Sequence, residues 1–490
     1  MVFRDQREEG VHIARAGDCA PGWNVTSMKD IEHPIPVKIA YVGGGSLNWA
    51  PTLMADLAHD TRLDAEVRLY DLDPAAAERN ARMGGRYAEV SNGTPARYRA
   101  VPSPREALEG ADVVVVSILP GRFDDMAQDI GIPARHGIPQ AVGDTVGPGG
   151  FVRAMRAIPM LAEIARAIGE HAPNAWVCNL TNPMSVLTGA LHAAFPGIRA
   201  WGECHEVTKI RRQVAGIANA EAGSDRWSFR DVEVNVLGIN HFTFVDAISL
   251  GGRDMLPAYR AFAEANAAGV NETVPGEDAE HDRYFGSKCL VKFDLYDRFG
   301  VPGAAGDRHL AEFLPVGDYL ADPDRWGFGL TPVEYRTRDQ ARRRARAEAL
   351  AEGEIAPVAK RSDEALIDQI VALAGGGTFV SNVNLPNRGQ LAGLPEGAIV
   401  ETNALFSGLG ITPLVAGHLP DGLHDIVADH AARQSALLQA VKAGDGGALF
   451  PLFHADPLVR HMPETEARRM FGEMIAATAA WLPENLKGAA

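Results

Sequence analysis

The sequence predicts an α/β protein: a doubly wound parallel sheet in the N-terminal half, followed by a C-terminal mixed α+β domain. Three observations carry that reading. Short apolar, β-branched runs alternate with stretches of helical spacing from residue 37 to residue 201. The first of those runs ends in a glycine cluster, Gly43-Gly44-Gly45, directly ahead of a helical stretch. Beyond Asp225 the pattern changes to polar–apolar alternation and then to long helices.

Residues 37–43 read as a short buried strand closing on a glycine turn, and 47–58 have helical spacing. Residues 66–71 make a second strand, and 74–90 a helix with Pro74 at a permitted first-turn position. The run 111–117 is β-branched, as expected of a strand covered on both faces. Helix 151–169, strand 175–179, helix 183–194 and strand 198–201 continue the alternation. Strands alternating with helices build a parallel sheet with helices on both faces, a Rossmann-type arrangement. Residues 230–250 then read as antiparallel strands, and 280–299, 337–351, 362–374, 423–442 and 464–481 as helices. The chain thus divides into an N-terminal extension (1–36), a Rossmann-type domain (37–204) and an α+β domain (205–490). Met28, just ahead of the first strong strand, is an alternative start to Met1. The arginine-rich stretch 336–346 reads as a solvated helix face.

The bulk composition excludes several classes. With 490 residues, 46% hydrophobic and 22% charged, the chain has ample material for a core. A formal net charge of −16 argues against nucleic acid as a partner, although a local arginine cluster can still hold a small anion. The four cysteines, Cys19, Cys178, Cys204 and Cys289, match neither a disulfide framework nor a paired zinc pattern. Reduced thiols in a cytoplasmic protein are the simplest reading. No apolar run reaches the ~18–20 residues that span a bilayer, and the opening residues lack the apolar centre of a signal peptide, so no membrane partner is expected.

The glycine turn is a candidate phosphate cradle. Glycine permits positive φ and close backbone approach, and free N–H groups at the following helix start can hold a pyrophosphate. Asn48 stands where the dinucleotide fingerprint has its third glycine. Asp71, however, closes the second strand at the expected distance. A carboxylate there accepts hydrogen bonds from ribose hydroxyls and disfavours a 2′-phosphate, so NAD is preferred to NADP.

Four polar clusters fall where strands of such a sheet should end: Gly143-Asp144 through Gly150, Asn179 through Met184, Gly202 through Val207, and Gly238-Ile239-Asn240-His241. Each has a plain alternative. Asp144 and Asn182 suit turns or helix caps, Cys204 a small buried hydrophobe, and His241 a satisfied core histidine. Taken together, a thiolate and an imidazole with nearby carboxylate and amide oxygens suit a divalent transition metal.

Taken in order, these segments resemble glycoside hydrolase family 4. The resemblance covers nearly the whole chain from Val37 and includes Gly43 to Ser46, Gln140 with Gly143 to Gly150, Thr181-Asn182-Pro183-Met184, Cys204-His205-Glu206-Val207, Gly238 to His241, and Asn384 to Gly389. It implies NAD, a divalent metal such as Mn2+, and a homodimer or homotetramer acting on a small glycoside. Cys204 and His241 would ligate the metal; Gly43, Gly45, Ser46, Leu47 and Asp71 would hold NAD; Asn182, with Asp144, would contact the sugar. Cys204-His205-Glu206-Val207 resembles the subgroup that releases galacturonate, which implies an α-galacturonidase. Other subgroups take α-glucosides, α-galactosides, α-glucuronides or 6-phosphoglycosides.

The implied chemistry departs from the usual pair of flanking carboxylates. Oxidation of the sugar C3 hydroxyl to a ketone acidifies the C2 proton. Removal of that proton expels the C1 substituent; water then adds at C1 and the hydride returns to C3. Asp307, in the loop Gly306-Asp307-Arg308-His309, and Tyr296 are candidate bases, with Asp307 favoured. His205 and Glu206 could assist the leaving group or orient the metal ligand. Arg308 is the candidate grip for a uronate carboxylate. Two rival readings share the fold: an NAD-dependent hydroxyacid dehydrogenase, which has no need of Cys204 and His241, and a non-catalytic NAD-binding sensor or scaffold.

Overall fold

A computed structural model describes residues 27–28, 31–272 and 279–489. Cys19 and most of the expected N-terminal extension lie outside the described residues. Within them the strands are β1 (Ser27–Met28), β2 (Ile35–Val42), β3 (Leu63–Tyr70), β4 (Arg97–Ala100), β5 (Val113–Val116), β6 (Trp176–Asn179), β7 (Arg199–Gly202), β8 (Val232–Ile239), β9 (Phe242–Leu250), β10 (Arg253–Asp254), β11 (Gly377–Pro386), β12 (Ile399–Ser407) and β13 (Gly410–Pro413).

Six strands run parallel in the order β4-β3-β2-β5-β6-β7. This is the doubly wound order, in which the chain reverses direction across the sheet between β2 and β5 and opens a crevice there. β5 is four consecutive valines, and they divide by the period of two. Val114 and Val116 join one core with helices Gly147–His171 and Met184–Ala194; Val113 and Val115 join the other with Trp49–His59, Pro74–Glu89 and Leu366–Leu373. Both faces are therefore buried, as the unbroken β-branched run requires.

The sheet does not stop at β7. β11 pairs antiparallel with β7 through Asn384 and Gly202, and β12 and β13 follow antiparallel, so segments from the C-terminal part of the chain extend the N-terminal sheet. β8, β9 and β10 form a separate antiparallel sheet. It packs through β8 against β12, where Asn403 Nδ2 donates to the Val234 carbonyl at 2.6 Å.

Several elements differ from expectation for physical reasons. The expected helix 280–299 is two helices, Ala279–Phe285 and Leu290–Phe299, with Cys289 in a left-handed conformation (φ 59°) at the start of the second. Helix Phe123–Arg135 forms despite Gly131 and Pro133 near its end, because its Met126, Asp129 and Ile132 face are buried. In helix Val333–Glu352, Arg342, Arg343, Arg344 and Arg346 are exposed, as the sequence suggests, but Arg336 turns inward and donates to the Val142 carbonyl at 3.4 Å. Among the described residues no helix is long and apolar enough to cross a membrane.

Candidate active site

The glycine turn lies at the carboxyl end of β2 and is too tight for any side chain at three successive positions. Gly43 sits at φ 92°, and a Cβ there would lie 2.0 Å from the Ser117 carbonyl oxygen. One at Gly44 would meet Leu69 at 2.8 Å, and one at Gly45 the Ala76 Cβ at 2.6 Å and Asp71 Oδ2 at 3.0 Å. The loop carbonyls are drawn back: Asn80 Nδ2 donates to those of Gly44 and Ser46 at 2.8 Å each, and Arg79 Nη2 to that of Gly45 at 3.1 Å. Asp71 Oδ2 accepts the Gly45 N–H at 2.8 Å, which joins the end of β3 to the turn. Ser46 Oγ accepts the Trp49 N–H at 3.2 Å, and Leu47 is half-buried at the helix entry. Asn48, the departure from the fingerprint, has its side-chain oxygen held by Arg343 at 2.8 Å. A cradle that a Cβ would fill, beside a carboxylate at the end of the neighbouring strand, fits a dinucleotide.

His241 belongs to the two-residue connection Asn240-His241 between β8 and β9, and it adopts φ 67°. A left-handed histidine is costly and is held here by the hairpin. Its Nδ1 lies 2.8 Å from Thr145 Oγ1, which in turn donates to Asp144 Oδ1 at 2.7 Å. The single hydroxyl proton is committed to the carboxylate, so the hydroxyl must accept from Nδ1–H. That assigns the proton to Nδ1 and leaves the Nε2 lone pair free. Burial also lowers the His241 pKa and keeps the ring neutral. The His309 ring packs 3.9 Å from that of His241, centroid to centroid.

Cys204 follows β7, buried, with its thiol within hydrogen-bonding reach of the Asn240 side chain. Burial, Glu401 and Glu206 push the thiol pKa well up. A thiolate at this place therefore requires a cation beside it. Burial also pushes Glu206 upward, but Lys209 at 2.8 Å, His309 and His205 hold its carboxyl well below the usual range. Its Oε2 also accepts the Gly306 N–H at 3.0 Å.

Beneath these groups lies Glu401 on β12, fully buried. Its carboxylate accepts amide N–H bonds from Asn382 at 3.0 Å, Asn384 at 3.2 Å and Asn240 at 3.3 Å, and Asn382 reaches on to the Cys204 carbonyl at 3.3 Å. With their nitrogens so committed, Asn240 and Asn384 keep buried side-chain oxygens that have no hydrogen-bond partner among the described residues, and so does Asn182. Among the described residues no three His, Cys, Asp or Glu side chains converge with ligand spacing. The donor set that fits a divalent metal is thus Cys204 and His241, both bordering Asn240 and Glu206, with further positions left to oxygen ligands from outside the protein.

The other expected site residues divide. His205 is half-exposed, 3.2 Å from Glu364 and 5.7 Å from the Trp49 ring, so it stands between the helix after the glycine turn and Glu206. Burial lowers its pKa, but Glu364 and Glu206 outweigh that and the net shift is upward. Asp307 is fully buried; Oδ1 accepts the Lys292 N–H at 3.0 Å and Oδ2 has no partner among the described residues. Burial and Glu272 raise its pKa against the opposing pull of Lys292. Arg308 spends Nε on the Gly329 carbonyl at 2.9 Å and Nη2 on the Ala141 carbonyl at 2.6 Å and on the Thr331 hydroxyl. Tyr296 is packed against Tyr259 and lies under Arg260 at 3.6 Å, in the core beneath the small sheet, apart from His241. Sequence reasoning gave no role to Thr145, His309 or Glu401. Thr145 sat unremarked inside the Asp144 cluster, and Glu401 in a strand without a recognisable motif.

Comparison with known proteins settles the relationship. Residues 38–220 match the description "Family 4 glycosyl hydrolase" and residues 236–459 "Family 4 glycosyl hydrolase C-terminal domain". The chain belongs to glycoside hydrolase family 4. An α-galacturonidase of Bacillus subtilis (strain 168) is 45% identical over 439 residues, covering 90% of this chain and 97% of its own. That of Thermoanaerobacterium saccharolyticum is 42% identical over 454 residues, covering 91% and 96%. A crystal structure described as that of "putative glucosidase lplD from bacillus subtilis" superposes with a TM-score of 0.85 at 44% identity, over 90% of this chain and 99% of that one. A Thermotoga maritima 6-phospho-β-glucosidase solved with manganese, NAD+ and glucose-6-phosphate shares the fold at a TM-score of 0.72 and 18% identity, over 91% and 99%.

Proposed function

We propose that this family 4 hydrolase is an NAD- and divalent-metal-dependent α-galacturonidase. What supports the reading is the glycine cradle with Asp71 at the carboxyl ends of the parallel strands, with Cys204 following β7 there and reaching Asn240, and on the β8–β9 hairpin the next residue, His241, with its Nε2 left free. The Cys204-His205-Glu206-Val207 signature and the α-galacturonidase names of relatives at 40–45% identity supply the substrate class. Mn2+ is the metal of choice, since neighbours of the same fold were solved with NAD and manganese.

When bound, NAD supplies a reversible hydride acceptor for the sugar C3, and the metal a Lewis acid that acidifies the C2 proton. The chain's own residues do the rest. Asp144, through Thr145, fixes the His241 tautomer. Asn182 presents its unpartnered oxygen to the sugar hydroxyls. Asp307 takes the C2 proton on Oδ2: it is a carboxylate with a raised pKa, two residues before the His309 that lies on His241. His205, held toward its charged form by Glu364 and Glu206, donates to the departing aglycone oxygen, and Glu206 stays ionised to stabilise it. Cytoplasmic location and assembly as a dimer or tetramer complete the reading; the three described cysteines are free thiols, in keeping with a reducing compartment.

The test is a panel of nitrophenyl α-galacturonide, α-glucuronide, α-galactoside and α-glucoside, assayed with NAD, Mn2+ and reductant. Expected is galacturonide cleavage without net accumulation of reduced nicotinamide, with solvent deuterium entering C2. Cleavage of only the neutral glycosides overturns the substrate; stoichiometric NADH formation overturns the hydrolase in favour of a dehydrogenase.

A further inference from the structure

A uronate brings a carboxylate among buried groups, and the structure holds unbalanced positive charge beside His241. Three guanidinium groups, those of Arg153, Arg308 and Arg336, surround the segment 141–144. Arg308 donates to the Ala141 carbonyl at 2.6 Å, and Arg336 to that of Val142 at 3.4 Å. Arg153, on the helix that this segment leads into, donates through Nε to the Asn182 carbonyl at 3.1 Å. Two carboxylates face the segment itself, while Asp129, which also acts on Arg153, is paired with Arg156, and Glu206, which also acts on Arg308, is paired with Lys209. Glu312 is capped by the N–H groups of Val142 at 2.6 Å and Gly143 at 3.1 Å, and Asp144 receives the Thr145 hydroxyl. Asp144 acts on all three guanidinium groups. Burial raises the Glu312 pKa to about 7, so this carboxyl offsets only part of a charge at neutrality.

The three arginines are not equivalent. Arg308 has committed Nε and Nη2 to carbonyl and hydroxyl oxygens. Arg153 is buried, only 6% exposed, yet its Nη1 has no partner among the described residues, and the buried Nε of the half-buried Arg336 has none either. A buried cationic N–H without an acceptor is costly, and both stand next to residues that border the sugar: Asn182 on one side, the Asp144–Thr145–His241 relay on the other.

Resting on the α-galacturonidase reading, we propose that Arg153 and Arg336 form the subsite that takes the substrate carboxylate, with Arg308 bracing the loop behind them. A hexuronate held by its C2 and C3 oxygens near His241 carries its carboxylate on the opposite edge of the ring. Charge-assisted bonds from two guanidinium groups there satisfy both orphan donors and add a full negative charge to that of Asp144 and the partial one of Glu312. A neutral hexose offers only a hydroxyl at that place and leaves the imbalance standing.

The experiment uses the full-length enzyme loaded with NAD and Mn2+, and the variants Arg336→Gln, Arg153→Gln and the conservative Arg153→Lys. Galacturonate and galactose binding are measured by calorimetry, alongside kcat/KM for α-galacturonide and α-galactoside. Expected is a loss of galacturonate affinity of at least about tenfold in each Gln variant, with the galacturonide-to-galactoside ratio falling by a similar factor and NAD binding intact. Should Arg153→Gln not fold, Arg153→Lys, which keeps the charge but loses the two-pronged grip, gives the same direction. If the parent cleaves α-galacturonide and the variants keep both affinity and ratio, the subsite is overturned while the function stands. If the parent cleaves no α-galacturonide, the function falls, and galacturonate binding decides the subsite: binding lost in the variants supports it, and absence of binding in the parent overturns it.

Discussion

Glu401→Gln is a sharp test of how the site is held together. The native carboxylate accepts from three asparagine amides at 3.0–3.3 Å, two on Oε2 and one on Oε1. Glutamine keeps one acceptor oxygen. Its best placement serves Asn240 and Asn384 with that oxygen and sets its own N–H2 against the Asn382 amide. Asn382 must then rotate, which breaks its bond to the Cys204 carbonyl. One buried donor left without an acceptor costs ~1–3 kcal/mol, and each of the other two bonds weakens from charge-assisted to neutral by ~1 kcal/mol. Against this stands the relief of a buried charge, since burial has already raised the Glu401 pKa to about 7. The balance is a destabilisation of about 2–3 kcal/mol. If Asn240 instead flips its amide to rescue the bonding, its oxygen leaves the site. Either route should weaken Mn2+ binding by ~10–100-fold, the usual consequence of losing an outer partner of a metal ligand. Urea unfolding and Mn2+ calorimetry on reduced protein read both effects. An unfolding free energy within about 0.5 kcal/mol of the parent together with unchanged Mn2+ affinity would refute the reasoning.

Four further outcomes are expected. Gly43→Ala, whose Cβ would lie 2.0 Å from the Ser117 carbonyl oxygen at φ 92°, should abolish NAD binding in a fluorescence titration and lower stability by more than about 2 kcal/mol. Cys204→Ser should keep NAD affinity while weakening Mn2+ binding by more than about tenfold. Thr145→Val removes the acceptor of the buried His241 Nδ1–H and should weaken Mn2+ binding while costing ~1–3 kcal/mol of stability, read by urea unfolding. Glu312 tests linkage: burial pushes its folded pKa up to about 7, above the ordinary carboxylate range, so its contribution is fully present below the unfolded pKa and lost as pH rises through about 7. The stability of Glu312→Gln relative to the parent should therefore grow from pH ~5 to pH ~8 by up to about 3 kcal/mol, read from urea unfolding across that range. A flat difference across the window would show that Glu312 titrates normally.

How much the sequence disclosed follows from what its signals are made of. The parallel strands were legible because strands buried on both faces must be apolar at every position, as 113–116 are. The glycine turn was legible because its tightness admits no other residue at Gly43, Gly44 and Gly45. β11 and β12 were not predicted. They carry Asn382, Asn384, Glu401 and Asn403 on buried backbone, and polar residues in a strand read as solvent-facing unless their partners are known. Those partners lie in one another and across the sheet, at separations no local pattern contains. The same limit hid Thr145, whose importance is its bond to a histidine 96 positions away. Arg308 shows the same limit from another side. Its loop position suggests a free cation, whereas its Nε and Nη2 bond Gly329, Ala141 and Thr331, which only the folded chain brings near.

The topology explains why the two proposed metal ligands require the whole chain. Cys204 ends the sixth parallel strand, whereas His241 is carried by a hairpin of the small sheet, and neither element alone fixes the other. What joins them is β12, added to the same sheet through β11: Glu401 grips Asn240 beside His241 and, by way of Asn382, the Cys204 carbonyl. Burying a carboxylate at that junction is expensive unless all its partners are in place. The ligand pair therefore assembles only when the C-terminal strands have docked, and with it the surroundings in which a buried thiol can lose its proton to a cation. Coupling of this kind ties metal affinity to completion of the fold. It follows that Mn2+ added to folded protein should raise the unfolding midpoint of the parent more than that of Glu401→Gln, a difference that would vanish if Cys204 and His241 were positioned independently of β12.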